Sequence, residues 1–152
     1  MIFENEQKTQ PISKFQIMEA FKRVKANGGS AGVDHISIEQ VEENKRKYLY
    51  PLWNRMASGS YFPKAVRQTL IPKGGGKTRA LGIPTVTDRV AQQVIATELE
   101  SIVDKTFSSN SFGYRPDKSA HEAVEQCRIN CMKYSWVIDI DIKGFFDNID
   151  HE

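Results

Sequence analysis

Two aspartates separated by one residue, in the segment WVIDIDI, are the residues of this chain best suited to chemistry. If the segment is a strand, Asp139 and Asp141 point to the same face. Two carboxylates set among Val137, Ile138, Ile140 and Ile142 are costly when dry. They make sense beside a divalent cation or a basic partner. The plainer alternative is that one aspartate pairs with a lysine or caps a turn. A second segment, KGGGK, places Lys73, Lys77 and Arg79 around three glycines. Backbone amides and cations together make an anion cradle, although a solvent-exposed hairpin tip would look the same. KGGGKT lacks the GxxxxGK[ST] spacing of nucleoside-triphosphatase loops. A third segment, FSSNSFGYRP, offers Phe112, Tyr114 and Arg115, whose planes could stack on bases or serve as loop anchors. His35, His121 and His151 have no metal-ligand spacing among themselves or with the cysteines.

The charge is unevenly distributed. The 152 residues carry a net charge of +2, with 39% hydrophobic and 26% charged residues. Residues 44–97 hold ten Lys/Arg and a single acid, Asp88, whereas residues 98–152 hold six Lys/Arg against eleven Asp/Glu. A basic middle suits a polyanion such as a nucleic-acid backbone or a triphosphate. The acidic end, with Asp139, Asp141, Asp147 and Asp150, suits divalent cations. No apolar run is long enough to span a membrane, and the polar start resembles no secretory or transit signal. Cys127 and Cys131 are the only cysteines. Four apart in a helical pattern, they are expected as buried thiols in a reducing cytoplasm.

Helical periodicity predicts a helix over Lys14–Ala26 behind an N-capping Ser13, with Phe15, Met18, Phe21 and Val24 inward. NGGSAGVD ends it, its glycines permitting positive φ. Ser37 caps a second helix. A third covers Leu49–Met56, with Pro51 marking a break or a helix start. Ala65–Ile71 and Thr78–Ile83 form an antiparallel hairpin. Helices over Thr87–Val103 and Ser119–Tyr134 precede a strand at WVIDIDI. This order is α+β. The last strand lacks an evident partner and a final helix has barely begun, so the sequence reads as one piece of a larger protein.

Four stretches, taken in order, resemble the reverse transcriptases encoded by group II introns, the intron maturases. They are NGGSAGVD, LIPKGGGKTRALGIPTVTDR, FSSNSFGYRPDKSAHEAV and VIDIDIKGFFDNIDH. The resemblance implies the fingers and partial palm of a right-hand polymerase. Residues 1–36 would be an N-terminal extension with a template-lid loop, 37–134 the fingers and 135–152 the start of the palm. It implies that Asp141 is the first catalytic aspartate, with Phe146 the steric gate against a nucleotide 2′-hydroxyl. Starting the motif at Asp139 would put Gly144 at the gate, and glycine has no bulk to exclude a hydroxyl. Asp139 would then orient or support, and Phe145 would brace the gate. Asp141 and the Ile142 backbone carbonyl would ligate metal in a site that takes two Mg²⁺ ions when complete.

The same resemblance makes Lys73, Arg79 and, more weakly, Lys77 the grip on the incoming triphosphate. Asn27, Gly28, Gly29, Ser30, Arg89 and Arg115 would serve the nucleic acid or the fingers around it. Implied partners are group II intron RNA, an RNA template with a DNA primer, deoxynucleoside triphosphates and the remainder of the polypeptide. The aromatic–Ala–Asp–Asp tetrad of such enzymes is absent, so the isolated chain is expected to be inactive. The rival readings are an RNA-binding maturase piece without catalysis, another bacterial reverse transcriptase (retron, diversity-generating or defence-associated), and an assembly partner for a missing half.

Overall fold

The computed structural model describes residues 10–142, 144, 145 and 148–150. The chain forms two compact units, Met1–Ile102 and Val103–Glu152. The first holds α1 (Lys14–Asn27), α2 (Ile38–Glu43), α3 (Lys45–Ala57), the strands β1 (Arg67–Lys73) and β2 (Lys77–Ile83), and most of α4 (Val86–Val103). The second holds a 3-10 turn at Asp104–Thr106 and α5 (Ala120–Lys133). The architecture is α+β, a helical cluster with an antiparallel hairpin, which is the expected fold class.

Capping fixes the helix starts. Ser13 with Gln16, Ser37 with Gln40 and Ser119 with Glu122 each form a reciprocal capping box, which satisfies amides that a helix otherwise leaves without partners. Ile17, Ala20, Phe21 and Val24 of α1 pack with Ile38 and Val41 of α2, Leu49, Leu52 and Met56 of α3, and Val86, Val90, Ala91 and Val94 of α4. This is the core of the first unit, and each large side chain in it contributes roughly 1.5–3 kcal/mol by leaving water.

The buried stripe of α1 is rotated from the expected one. Phe15 is exposed and Met18 only partly buried, while Ile17 and Ala20 are inside. Both stripes have helical spacing and share Phe21 and Val24, so periodicity alone does not choose between them. Leu99 of α4 is also exposed. Pro51 does not break α3, which runs through it. The break lies instead at Asn44, between α2 and α3.

β1 and β2 pair in register from Arg67↔Ile83 to Lys73↔Lys77. The turn is only Gly74–Gly76, with Gly75 and Gly76 at φ 78° and 73°, so the strands extend closer to the glycines than the sequence suggested. The expected strand at WVIDIDI does not form a ladder, since β1–β2 is the only sheet among the described residues. A strand requires a hydrogen-bonding neighbour, and no described segment provides one. Cys127 and Cys131 are exposed rather than buried, because α5 buries none of its residues.

Candidate nucleotide and nucleic-acid site

The hairpin register explains how three cations come to act together. Lys73 and Lys77 are direct cross-strand partners, and Arg79 follows Lys77 by two residues. All three therefore project from one face of the hairpin. All are exposed. Like charges directly opposite each other in a ladder repel, and an anion between them reverses the sign of that interaction. The arrangement is a positively charged fork at a glycine tip. The sequence showed the residue types, but only the pairing shows that they share a face.

The loop after α1 is shaped by two close approaches. Gly28 and Gly29 adopt φ of 66° and 109°. Gly32 is needed for space rather than for φ. A Cβ there would lie 2.6 Å from the Thr85 backbone and 2.8 Å from the Pro84 carbonyl carbon. Arg89, near the start of α4, donates from Nη1 to the Gly28 carbonyl and from Nη2 to the Ser30 carbonyl, each at 2.9 Å. Asn27 and Ser30 have exposed side chains.

Below this loop lies a feature the sequence reading missed. Asp88, the lone acid of the basic middle, is buried. Its Oδ2 accepts from the Thr85 hydroxyl at 2.6 Å, and its backbone amide donates back to Thr85 Oγ1 at 3.1 Å. Its Oδ1 accepts from the Tyr61 hydroxyl, and both oxygens accept from the Lys64 amide at 3.4 Å. Burial, with this carboxylate next to it, pushes the Tyr61 phenol above its ordinary range. Thr85–x–x–Asp88 at a helix start is a capping pattern, which could have been read from the sequence. The network ties the chain leading into β1 to the start of α4.

In the second unit, Arg115 is committed within its own loop. It donates from Nε to Asp104 Oδ1 at 2.7 Å and from Nη1 to the carbonyls of Ser108 and Ser111 at 2.8 and 3.0 Å. Nη2 donates to the Asp104 carbonyl at 3.1 Å. The guanidinium lies 5.4 Å from the Phe107 ring centre. Its hydrogen bonds hold the Asp104 carboxyl below the usual carboxylate range. Tyr114, by contrast, is fully exposed at φ 54°. The clamp should therefore be intact at neutral pH and open as pH falls through the lowered Asp104 value. Ring resonances of Phe107 and Tyr114, followed by NMR, should shift over that acidic range in the wild type. Arg115→Ala should show the open spectrum at every pH.

Asp139 and Asp141 are exposed, and neither has a hydrogen-bond or ion-pair partner among the described residues. Either carboxylate is placed to give a hard cation one oxygen ligand. No group of three or more His, Cys, Asp or Glu that could hold a metal gathers among the described residues. Phe145 is half exposed, and Phe146, the expected gate, lies outside the described residues. No helix there is long and apolar enough to cross a membrane.

A clamped glycine loop, a glycine-tipped cationic hairpin and an exposed acidic pair follow one another along the chain. The family model described as reverse transcriptase (RNA-dependent DNA polymerase) matches residues 71–152, over half of the chain. The chain belongs to the reverse transcriptase family. Proteins named as intron-encoded are among the relatives it matches. It is 35% identical over 135 residues to the group II intron-encoded protein LtrA of Lactococcus lactis subsp. cremoris, covering 87% of this chain and 22% of LtrA. It is 32% identical over 125 residues to protein YkfC of Escherichia coli K12, covering 79% of this chain and 33% of YkfC. It is 30% identical over 136 residues to the putative COX1/OXI3 intron 1 protein of Saccharomyces cerevisiae, covering 90% of this chain and 16% of that protein. The chain therefore spans a third or less of the length of these relatives.

Proposed function

We propose that this chain is the nucleotide-gripping part of a group II intron-encoded RNA-directed DNA polymerase that serves intron mobility and RNA splicing. The observation that carries the reading is the same-face placement of Lys73, Lys77 and Arg79 at the hairpin tip. In the reaction, the 3′-hydroxyl of a DNA primer attacks the α-phosphate of a deoxynucleotide opposite an RNA template, and pyrophosphate leaves. Lys73 and Arg79 hold the triphosphate and offset the charge that develops on its oxygens, with Lys77 adding to the field. Asp141 and the Ile142 carbonyl would hold divalent metal together with ligands from elsewhere in the polypeptide, and the metal would neutralise phosphate charge. Asp139 orients this segment, and Phe146 discriminates against ribonucleotides. Residues 1–36 act as an N-terminal extension whose Asn27–Asp34 loop faces the template, residues 37–134 as fingers and residues 135–152 as the entry to the palm.

Alanine at Lys73 or Arg79 should raise the KM for deoxynucleotides by roughly 10- to 100-fold each, the worth of one hydrogen bond to a charged group. The change in kcat should be smaller. Steady-state incorporation by the polypeptide at the length of its relatives measures this, and an unchanged KM would remove the hairpin from the nucleotide site. The 152-residue chain alone should incorporate no nucleotide, because Asp141 and the Ile142 carbonyl are too few ligands for two metal ions, and no cluster of three or more metal-binding side chains gathers among the described residues. Mg²⁺-dependent extension by that chain, lost in Asp141→Ala, would contradict this.

A second reading, intron-RNA binding without catalysis, draws on the basic face of α3. Lys47, Arg55 and Lys64 line one cavity with Tyr48, Tyr61 and Phe62, and Phe62 is 84% exposed. Cations beside exposed rings suit single-stranded RNA. Salt-dependent binding to structured intron RNA in excess of a generic duplex, with no polymerase activity in the longer protein, would favour this reading.

A further inference from the structure

We infer that Arg89 is a positioning residue that sets the shape of the Asn27–Asp34 loop and influences the template only through that loop. The inference rests on the proposed reading of this loop as template-facing. Three observations converge on it. First, the two terminal nitrogens of Arg89 reach two carbonyls of one loop, Gly28 and Ser30, at the same 2.9 Å. A planar fork with fixed donor directions spans two acceptors in a way that a lysine ammonium cannot. Second, the side chain occupies the space that a loop side chain would need. A Cβ on Gly29 would lie 2.6 Å from Arg89 Nη1, and Gly29 itself sits at φ 109°. Third, the base of Arg89 is fixed. Its amide donates to the Thr85 carbonyl at 3.0 Å in the first turn of α4, beside the buried Asp88 and against Gly32, whose missing Cβ lets the loop touch Thr85.

The loop is thus pinned at both ends of NGGSAG by the same turn of α4. With Nη1 and Nη2 directed at loop carbonyls, the guanidinium is not arranged to take a phosphate in its fork. The Gly28 amide donates to the Lys25 carbonyl at 3.1 Å, so Gly28, which completes the Asn27–Gly28 peptide, is held at its amide and at its carbonyl. That peptide provides a chemical probe. Asn–Gly sequences deamidate when the glycine nitrogen attacks the asparagine side-chain carbonyl, closing a succinimide and releasing ammonia. Holding Gly28 at its amide and its carbonyl opposes that closure.

The test uses the 152-residue chain with Arg89→Ala, Arg89→Lys, Gly29→Ala and the Arg89→Ala/Gly29→Ala double variant. Deamidation at Asn27 is followed by peptide mass spectrometry under one fixed condition, and circular dichroism checks that the helices persist. Arg89→Ala and Gly29→Ala should each accelerate deamidation several-fold. The double variant should exceed the faster single variant little, since both remove the same contact. Arg89→Lys should not restore the wild-type rate. Binding to an RNA template annealed to a DNA primer then separates positioning from contact. Arg89→Ala should weaken binding while leaving the slope of log affinity against log salt unchanged. A residue that touches phosphate would instead lower the slope by about 1. Unchanged deamidation in folded Arg89→Ala, or the lowered slope, overturns the inference. A wild-type chain that binds no RNA would defeat the proposed function of the loop, while the deamidation rates would still decide whether Arg89 holds it.

Discussion

Replacing Asp88 by alanine is expected to lower the unfolding free energy by about 2–4 kcal/mol, the scale of breaking a buried, charge-assisted network. The side chain is 3% exposed and accepts from the Thr85 hydroxyl, the Tyr61 hydroxyl and the Lys64 amide. Its removal leaves two hydroxyls without their acceptor and a small void at the start of α4. The loss should extend beyond local packing, because the same residues lead the chain from α3 into β1. Asp88→Asn keeps the shape and one acceptor oxygen, so it should cost roughly half as much. Urea unfolding of the two variants measures this, and a change below about 0.5 kcal/mol for alanine would place Asp88 among ordinary surface positions. The network also sets a sign at high pH. Because the Tyr61 phenol is raised in the folded state, its contribution is complete below the ordinary tyrosine value and is lost as pH climbs through the raised one. Tyr61→Phe should flatten that alkaline decline.

Local chemistry made much of the fold legible. Ser13 and Ser37 announced their helices by capping, and the glycine run between two strand-like segments announced the hairpin. Features that depend on distant packing were not legible. Which stripe of α1 faces inward depends on where α2, α3 and α4 lie, so Phe15 was expected inside and is outside. Pro51 was expected to mark a break or a helix start, but α3 runs through it and the boundary with α2 lies at Asn44. Cysteines are often buried, but the helix that carries Cys127 and Cys131 buries none of its residues.

The candidate site divides along the same line. Residue types pointed to Lys73, Lys77, Arg79, Asp139 and Asp141. Long-range geometry supplied the rest: the shared face of the three cations, the reach of Arg89 across to Gly28 and Ser30, and the burial of Asp88. Arg89 and Arg115 read as serving the nucleic acid or the fingers around it, and each directs its terminal nitrogens at carbonyls of its own unit. A sequence shows a charge but not the carbonyls that have already engaged it.

The largest effect on activity is expected at Asp141. Asp139 and Asp141 are both exposed and unpaired among the described residues, so geometry alone treats them alike. The family frame separates them, because counting from Asp141 puts Phe146 at the gate and counting from Asp139 puts Gly144 there. A carboxylate that helps to hold charge-neutralising metal acts on the transition state, and its loss should cost on the order of 10³-fold in rate. A residue that only orients the segment should cost far less. The decisive measurement is single-nucleotide incorporation opposite an RNA template with Mg²⁺, by the polypeptide at the length of its relatives, comparing wild type, Asp141→Ala and Asp139→Ala. The account predicts incorporation by the wild type, near-complete loss in Asp141→Ala and substantial retention in Asp139→Ala. An inactive wild type, or loss in Asp139→Ala with retention in Asp141→Ala, would contradict it.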